Sequence, residues 1–188
     1  MTEDVTALRA ALRLLRQPLL IASMRTERLP GGVRTILQVL AGDSDVLTSA
    51  SATCDRKEKE IGEACHFFAE QILLFPGADH FRALGADVGE SAPELRRNMA
   101  LLMQWLHPDH AQGDQRAALI GRVTAAWEHL KVNERRVAYA ESLRTSQQTK
   151  RRARQGSGPR PPARVRLLRS DGGGEPLLRR LLRFLSLR

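Results

Sequence analysis

The stretch WLHPDHAQGD, residues 105–114, places histidine, proline and aspartate in a row where an apolar helical pattern stops. Pro108 alone is enough to end a helix, because it has no N–H to donate and its ring crowds the preceding turn. His107 and Asp109 are not needed for that purpose. On a loop, the Asp109 carboxylate suits a charge-assisted pair with a partner's arginine, and neutral His107 both donates and accepts hydrogen bonds. The three residues therefore predict a recognition loop.

Two amphipathic helices are predicted to position this loop. The helix before it begins at a capping-box pattern formed by Ser91 and Glu94, with Pro93 in the first turn. Its apolar residues recur at helical spacing, at Leu95, Met99, Leu102 and Leu106. The helix after the loop has the same spacing, at Ile120, Val123, Trp127 and Leu130. Two helices joined by a short polar loop indicate an antiparallel hairpin.

Short helices are predicted on both sides of the hairpin. The segment DHFRALG is typical of a short helix that ends at a glycine C-cap, here Gly85. The segment KVNERRVAYAESL is predicted to form a short terminal helix in which Tyr139 and Leu143 face inward.

The whole chain is predicted to be all-α, because Ala, Leu, Arg and Glu dominate its composition. It divides into four segments. Residues 1–76 form a small helical region with two to four helices, and residues 79–143 contain the hairpin and its flanking helices. Residues 144–174 are a basic linker rich in Arg, Pro and Gly, predicted to be largely disordered because it has little apolar surface to bury. Residues 175–188 form a short amphipathic helix.

The net charge of +9 is concentrated at the C-terminal end of the chain. Residues 144–188 contain thirteen Lys or Arg and two Asp or Glu, a balance of +11, so the rest of the chain carries −2. The sequence leaves several interpretations of this tail open. The basic run is a solvated linker or a weak contact for nucleic-acid phosphates. The terminal amphipathic segment lies on an anionic membrane surface, or docks on the protein's own helical domain or on a partner groove.

Several classes of protein are disfavoured by the residue inventory. Two cysteines, Cys54 and Cys65, are too few for a disulfide framework or a four-cysteine zinc site, which favours a reduced, cytoplasmic compartment. No secretory pattern and no uncharged apolar run of about 20 residues is found. No nucleophile–base pair, phosphate-binding loop or cofactor motif appears, so we expect neither an enzyme nor a cofactor.

Two histidine-containing groups have simpler interpretations than metal binding. A site built from His107, Asp109 and His110 is cramped and stiffened by Pro108, so we expect no metal there. Cys65 and its neighbour His66 lie on an apolar helical face, where packing in the core is the favoured interpretation.

Residues 79–143 resemble a J-domain, the module by which DnaJ-type co-chaperones engage DnaK-type ATPases. The resemblance is carried by DHFRALG, by the length of the segment between Gly85 and His107, by the loop HPDHAQGD, and by VTAAWEHL and NERRVAYA, all in the order found in the family. The match covers about a third of the chain.

The resemblance implies a function and a set of partner-binding residues. The loop residues His107, Pro108 and Asp109 are expected to dock on a DnaK-type chaperone and to stimulate its ATP hydrolysis and client capture. Arg96 and Arg97 are expected to assist docking. The partner chaperone, and not this chain, is expected to catalyse the hydrolysis of ATP. The glycine/phenylalanine linker and zinc-binding repeats of larger family members are absent, which is typical of the J-domain-only class. The client is not indicated by the sequence.

The helix before the loop departs from the family at Ala100, Leu101 and Trp105, positions that are commonly basic. This change predicts weaker electrostatic steering toward the chaperone. Because Leu101 and Trp105 widen the apolar face, we expect the helices before Phe75 to pack on that side. Because of this departure, an alternative function stays open, in which the chain is a J-like scaffold that assembles proteins without stimulating an ATPase. A third alternative is a nucleic-acid or membrane-surface binder that acts through the basic tail.

Overall fold

A computed structural model describes residues 4–107 and 114–156 of the 188-residue chain. These residues form α-helices joined by short turns and contain no strand, so the all-α prediction is confirmed for them. The helices are α1 (Asp4–Arg16), α2 (Ile21–Thr26), α3 (Val33–Leu40), α4 (Ser44–Cys54), α5 (Glu58–Phe68), α6 (His80–Ala83), α7 (Ala92–Trp105), α8 (Asp114–Leu130) and α9 (Asn133–Gly156). A 3₁₀ turn (Pro18–Leu20) precedes α2, and a π-helical stretch (Ala69–Leu73) extends α5.

Helix α1 lies at the centre of the N-terminal helices. Its buried residues follow the spacing of one helical face, at Ala7, Leu8, Ala11, Leu12 and Leu14. The face packs against α3, α4 and α5. The described part of the N-terminal region, residues 4–76, therefore contains five α-helices, and the prediction of two to four was too low. Pro18 starts a 3₁₀ turn that separates the six-residue α2 from α1, an interruption too short to be recognised from periodicity.

The helices that flank the loop begin and end at caps. The side chain of Ser91 accepts a hydrogen bond from the N–H of Glu94 (3.4 Å), so it caps α7 as predicted. The reciprocal half of the capping box is not formed, because the N–H of Ser91 donates to Glu90 instead. At the end of α6, Gly85 has a φ of 63°. A side chain there would also crowd Val33 at 3.1 Å, which confirms the predicted glycine C-cap.

Helix α8 packs on both α6 and α7, and α7 also packs on α3. The buried residues of α8 are Leu119, Val123, Ala126 and Leu130. Two of the predicted inward positions, Ile120 and Trp127, are only partly buried. The prediction of a buried position was thus correct for Val123 and Leu130. The buried face of α8 is rotated around the helix axis from the predicted face, toward smaller side chains.

Helix α9 is much longer than predicted. It continues to Gly156, so the first part of the linker assigned to residues 144–174 is helical rather than irregular. The residues from Arg144 to Gln155 are mainly helix formers, and the first glycine comes only at Gly156. The composition argument was wrong for this part because it averaged these residues with the Gly/Pro-rich sequence that follows. The predicted amphipathic helix at 175–188 lies outside the described residues.

The described helices up to Gln148 belong to one compact unit. The predicted boundary between residues 76 and 79 falls inside this unit. Within the described ranges, no helix has both the length and the apolar content that crossing a membrane requires.

Candidate recognition site at the end of helix α7

The predicted recognition loop begins immediately after α7. Leu106 is buried, and the backbone N–H of His107 donates to the carbonyl of Gln104 (3.3 Å) as the helix ends. His107 itself is exposed. Pro108 and Asp109 lie outside the described residues, and so does the rest of the loop up to α8. The site is therefore defined by His107 and by the elements on either side of the loop.

Trp105 anchors the end of α7 to the N-terminal helices. Its side chain is 4% exposed, and its Nε1–H donates to Nδ1 of His66 in α5 (3.2 Å). The two rings meet edge to face, with centroids 5.5 Å apart. One residue earlier, the side-chain amide of Gln104 donates to the carbonyl of Ala41 (2.8 Å). Trp105 thus packs on the N-terminal side, as expected from the wide apolar face of α7.

A second contact ties the start of α8 to the end of α7. The guanidinium of Arg116 donates to the carbonyl of Trp105 (3.0 Å). This carbonyl belongs to the last turn of α7, where helical carbonyls lack an intrahelical partner. The bond therefore fixes the two ends of the loop close to each other.

The short helix α6 is held between α7 and α9. The side-chain amide of Asn98 in α7 donates to the carbonyls of Leu84 (3.0 Å) and Gly85 (3.4 Å). On the other side, the backbone N–H of His80 donates to the hydroxyl of Tyr139 in α9 (3.2 Å). Burial raises the pKa of the Tyr139 phenol, which keeps it a neutral hydroxyl near pH 7 and able to accept this bond.

The imidazole of His80 stacks on that of His129 in α8, with ring centroids 4.2 Å apart. Burial lowers the pKa of His80, the nearby His129 lowers it further, and Asp79 opposes both effects. A neutral ring is thereby favoured at this contact. Within the described residues, no group of three or more His, Cys, Asp or Glu side chains is placed to hold a metal ion.

The two arginines predicted to assist docking differ in their surroundings. Arg96 and Arg97 are both exposed on α7. Arg97 pairs with Glu94 (2.5 Å), and the same carboxylate pairs with Arg34 of α3 (3.0 Å). The charge of Arg97 is therefore partly neutralised within the chain. Arg96 makes no ion pair within the described part of the chain and offers its full charge to solvent.

Cys65 and His66 have separate roles in this structure. Cys65 is fully buried, and burial raises the pKa of its thiol to about 12, so it remains protonated and unreactive in the core. His66 accepts the hydrogen bond from Trp105. The predicted packing role holds for Cys65, whereas His66 also positions the end of α7.

Four polar residues that organise this region were missed by the sequence analysis: His66 as an acceptor, Arg82, Asn98 and Arg116. Asn98 interrupts the apolar stripe of α7, and that interruption was a usable signal. Arg82 is 9% exposed and donates to the carbonyl of Met24 (3.3 Å) and to that of Glu27. Its partners lie more than fifty residues away, so nothing in its local sequence marked it.

The described contacts thus hold the end of α7 and the start of α8, on either side of the segment that is predicted to carry recognition residues. Comparison with known proteins found no matching family model, no matching curated protein and no matching solved structure.

Proposed function

We propose that this chain is a co-chaperone that docks on a DnaK-type ATPase through the loop His107-Pro108-Asp109 and stimulates ATP hydrolysis and client capture. The observation that supports the proposal is the exposure of His107, the first residue of the tripeptide, where α7 ends. Arg116 of α8 also donates to the Trp105 carbonyl (3.0 Å), so the end of α7 is tied to the start of α8. Residues whose neighbours in the chain are already held in place lose less entropy on binding.

The proposed mechanism is a shift in the partner's conformational equilibrium. His107 supplies hydrogen-bonding capacity and Asp109 supplies a carboxylate for a cationic group of the chaperone. Differential binding to one nucleotide state of the chaperone favours that state, so no bond chemistry is required of this chain. Arg96 contributes more to electrostatic docking than Arg97, because Glu94 already pairs with Arg97.

The first prediction concerns His107→Gln. This variant should lower the stimulation of single-turnover ATP hydrolysis by a DnaK-type chaperone by about ten-fold or more, as expected when a central contact of an interface is lost. The measurement compares the hydrolysis rate with no addition, with the native chain and with the variant. His110→Gln is the matched control, because it changes the same residue type three positions later in the loop sequence.

A second candidate function is a J-like scaffold that assembles proteins without ATPase stimulation. It is favoured by the burial of Trp105 against His66, which commits part of α7 to internal packing. Equal rates with and without the native chain would reject the co-chaperone proposal and leave the scaffold. Equal stimulation by the native chain and His107→Gln would instead reject the role given to His107.

A further inference from the structure

A concave surface far from the recognition loop in sequence contains an unusual concentration of positive charge. We call it the arginine cleft. It has a volume of about 330 Å³ and lies between α1 and the end of α4. Its lining includes Arg9, Arg13 and Arg16 of α1 and Arg56, which follows α4. The three α1 arginines are spaced by four and three residues, so they share one side of the helix.

Internal ion pairing neutralises only part of this charge. The carboxylate of Glu60 contacts Arg16 at 2.7 Å and Arg56 at 3.8 Å. Within residues 4–107 and 114–156, Arg9 and Arg13 form no ion pair. Four guanidinium groups and one carboxylate therefore leave a local balance of about +3 at neutral pH.

The stability of α1 does not account for this arrangement. Like charges four residues apart on a helix repel each other and destabilise it. The negative end of the helix dipole favours Arg13 and Arg16, which lie in the last turn of α1. Arg9 lies about one turn earlier, where this effect has faded. The cluster at the cleft is therefore better explained by a bound anion.

The chemistry of the cleft favours phosphate over a single carboxylate. Each guanidinium can donate two parallel hydrogen bonds to phosphate oxygens. Two phosphate groups carry about three to four negative charges near pH 7, which matches the uncompensated charge of the cleft. The side chain of Leu12 also lines the cleft and provides an apolar contact for the rest of a ligand. A volume of about 330 Å³ is within the usual range for small-molecule sites.

We propose that the arginine cleft binds a small ligand that carries a diphosphate or two closely spaced phosphate groups. None of the residues assigned to chaperone docking lines this cleft, so the two proposals stand or fall separately. The same headgroup chemistry occurs in free metabolites and in phosphorylated lipids, and the test below distinguishes these two sources.

A cysteine in the cleft provides a local probe. Cys54 lines the cleft and is partly exposed. Cys65 is fully buried, so a thiol reagent modifies Cys54 first in the folded chain. A bound diphosphate would cover Cys54 and disfavour its thiolate, which is the reactive form. The basic tail does not affect this readout directly, because the signal comes from the cleft itself.

The test measures the rate of Cys54 modification in the full chain, with inorganic pyrophosphate and with sodium chloride at equal ionic strength. We expect pyrophosphate to slow the reaction at least about five-fold at saturation, and orthophosphate to act only at higher concentration. The double variant Arg9→Gln/Arg13→Gln should lose this protection. Arg28→Gln is the matched control, because Arg28 is a highly exposed arginine outside the cleft. Each rate is compared with that of the same protein without ligand, since burial raises the pKa of Cys54 and Arg9 opposes that shift.

The outcomes are distinct. Absence of protection, or equal protection in the double variant and the native chain, would overturn the proposal. Protection by vesicles containing phosphatidylinositol bisphosphate but not by pyrophosphate would overturn the free ligand in favour of a lipid headgroup. Circular dichroism checks that the double variant remains folded. Arg9→Lys keeps the positive charge but loses the two parallel donors of the guanidinium, so it should give intermediate protection. This variant replaces the double variant in the test if the double variant unfolds.

Discussion

The contact between Trp105 and His66 depends on the protonation of a single ring. Nδ1 of His66 accepts the indole N–H (3.2 Å), and it can do so only while that nitrogen carries no proton. Partial burial lowers the pKa of His66 and the neighbouring Arg116 lowers it too, while Glu70 opposes both effects. The surroundings of the ring therefore favour the form that accepts the bond.

The second prediction is a loss of stability in mild acid. His66 and His80 both have pKa values lowered in the folded chain, so the unfolded chain binds more protons below about pH 6.5. Above that pH, the two histidines should contribute no pH dependence to the free energy of unfolding. Below it, the free energy of unfolding should fall as the pH decreases. Urea denaturation between about pH 7.5 and about pH 5.5 measures the change before most carboxylates titrate.

His66→Gln provides the comparison for this pH dependence. Glutamine retains an acceptor but does not titrate, so the variant should lose less stability than the native chain between the two pH values. Its remaining acid sensitivity is assigned to His80. An identical pH dependence in the native chain and the variant would contradict the role of His66.

At the scale of elements, the position of α6 depends on one side chain of α7. The amide of Asn98 donates to the carbonyls of Leu84 and Gly85, the last residues of the α6 turn. The side chain is buried, and its Oδ1 has no hydrogen-bond partner among the described residues. The amide nitrogen of Asn98 therefore makes both hydrogen bonds that this side chain forms among the described residues, and both acceptors lie at the end of α6.

The third prediction concerns Asn98→Ala. The variant leaves two carbonyls without their donor but also removes an unpaired buried oxygen, so the cost should lie toward the lower end of about 1–3 kcal/mol. Chemical denaturation of the native chain and the variant measures the difference. Gln104→Ala is the matched control, because this exposed amide on the same helix donates to Ala41. We expect a smaller loss for the control, and equal losses would contradict the assignment.

At the scale of the whole molecule, the N-terminal helices and the helices around the loop are joined by buried and polar contacts. Arg82 donates to two carbonyls near the end of α2, and Arg122 of α8 donates to the carbonyl of Leu74. Trp105 and Leu37 lie in the same buried core. Helices α7 and α8 are thus supported by contacts from outside residues 79–143.

The fourth prediction follows from this packing. A fragment that starts at Gly77 exposes the buried face of Trp105 and should lose on the order of 3 kcal/mol or more of stability, comparable with the truncation of a large core side chain. Thermal unfolding followed by circular dichroism measures the loss, and gel filtration reports association through the exposed face. A fragment that stays monomeric, folded and as stable as the full chain would show that the N-terminal helices do not support α7 and α8.

The amino-acid sequence by itself determined the features that depend on neighbouring residues. Spacing predicted the helices, Ser91 predicted the cap of α7, and Gly85 predicted the end of α6, because each of these depends on local backbone geometry. The end of α7 before His107 was likewise predicted from Pro108, whereas the loop itself stays a prediction. The extent of α9 was also encoded locally, but averaging over a mixed segment concealed it.

Only the tertiary structure decided which distant groups meet. Trp105 donates to His66, Arg82 donates to carbonyls near the end of α2, and Arg9 and Arg56 line the same cleft. In each case the residues lie about forty or more positions apart in the chain. Such contacts depend on how helices pack, and helix packing angles follow from the shape of many side chains together. Periodicity shows that a helix has an apolar face, but it does not identify the residue that covers that face.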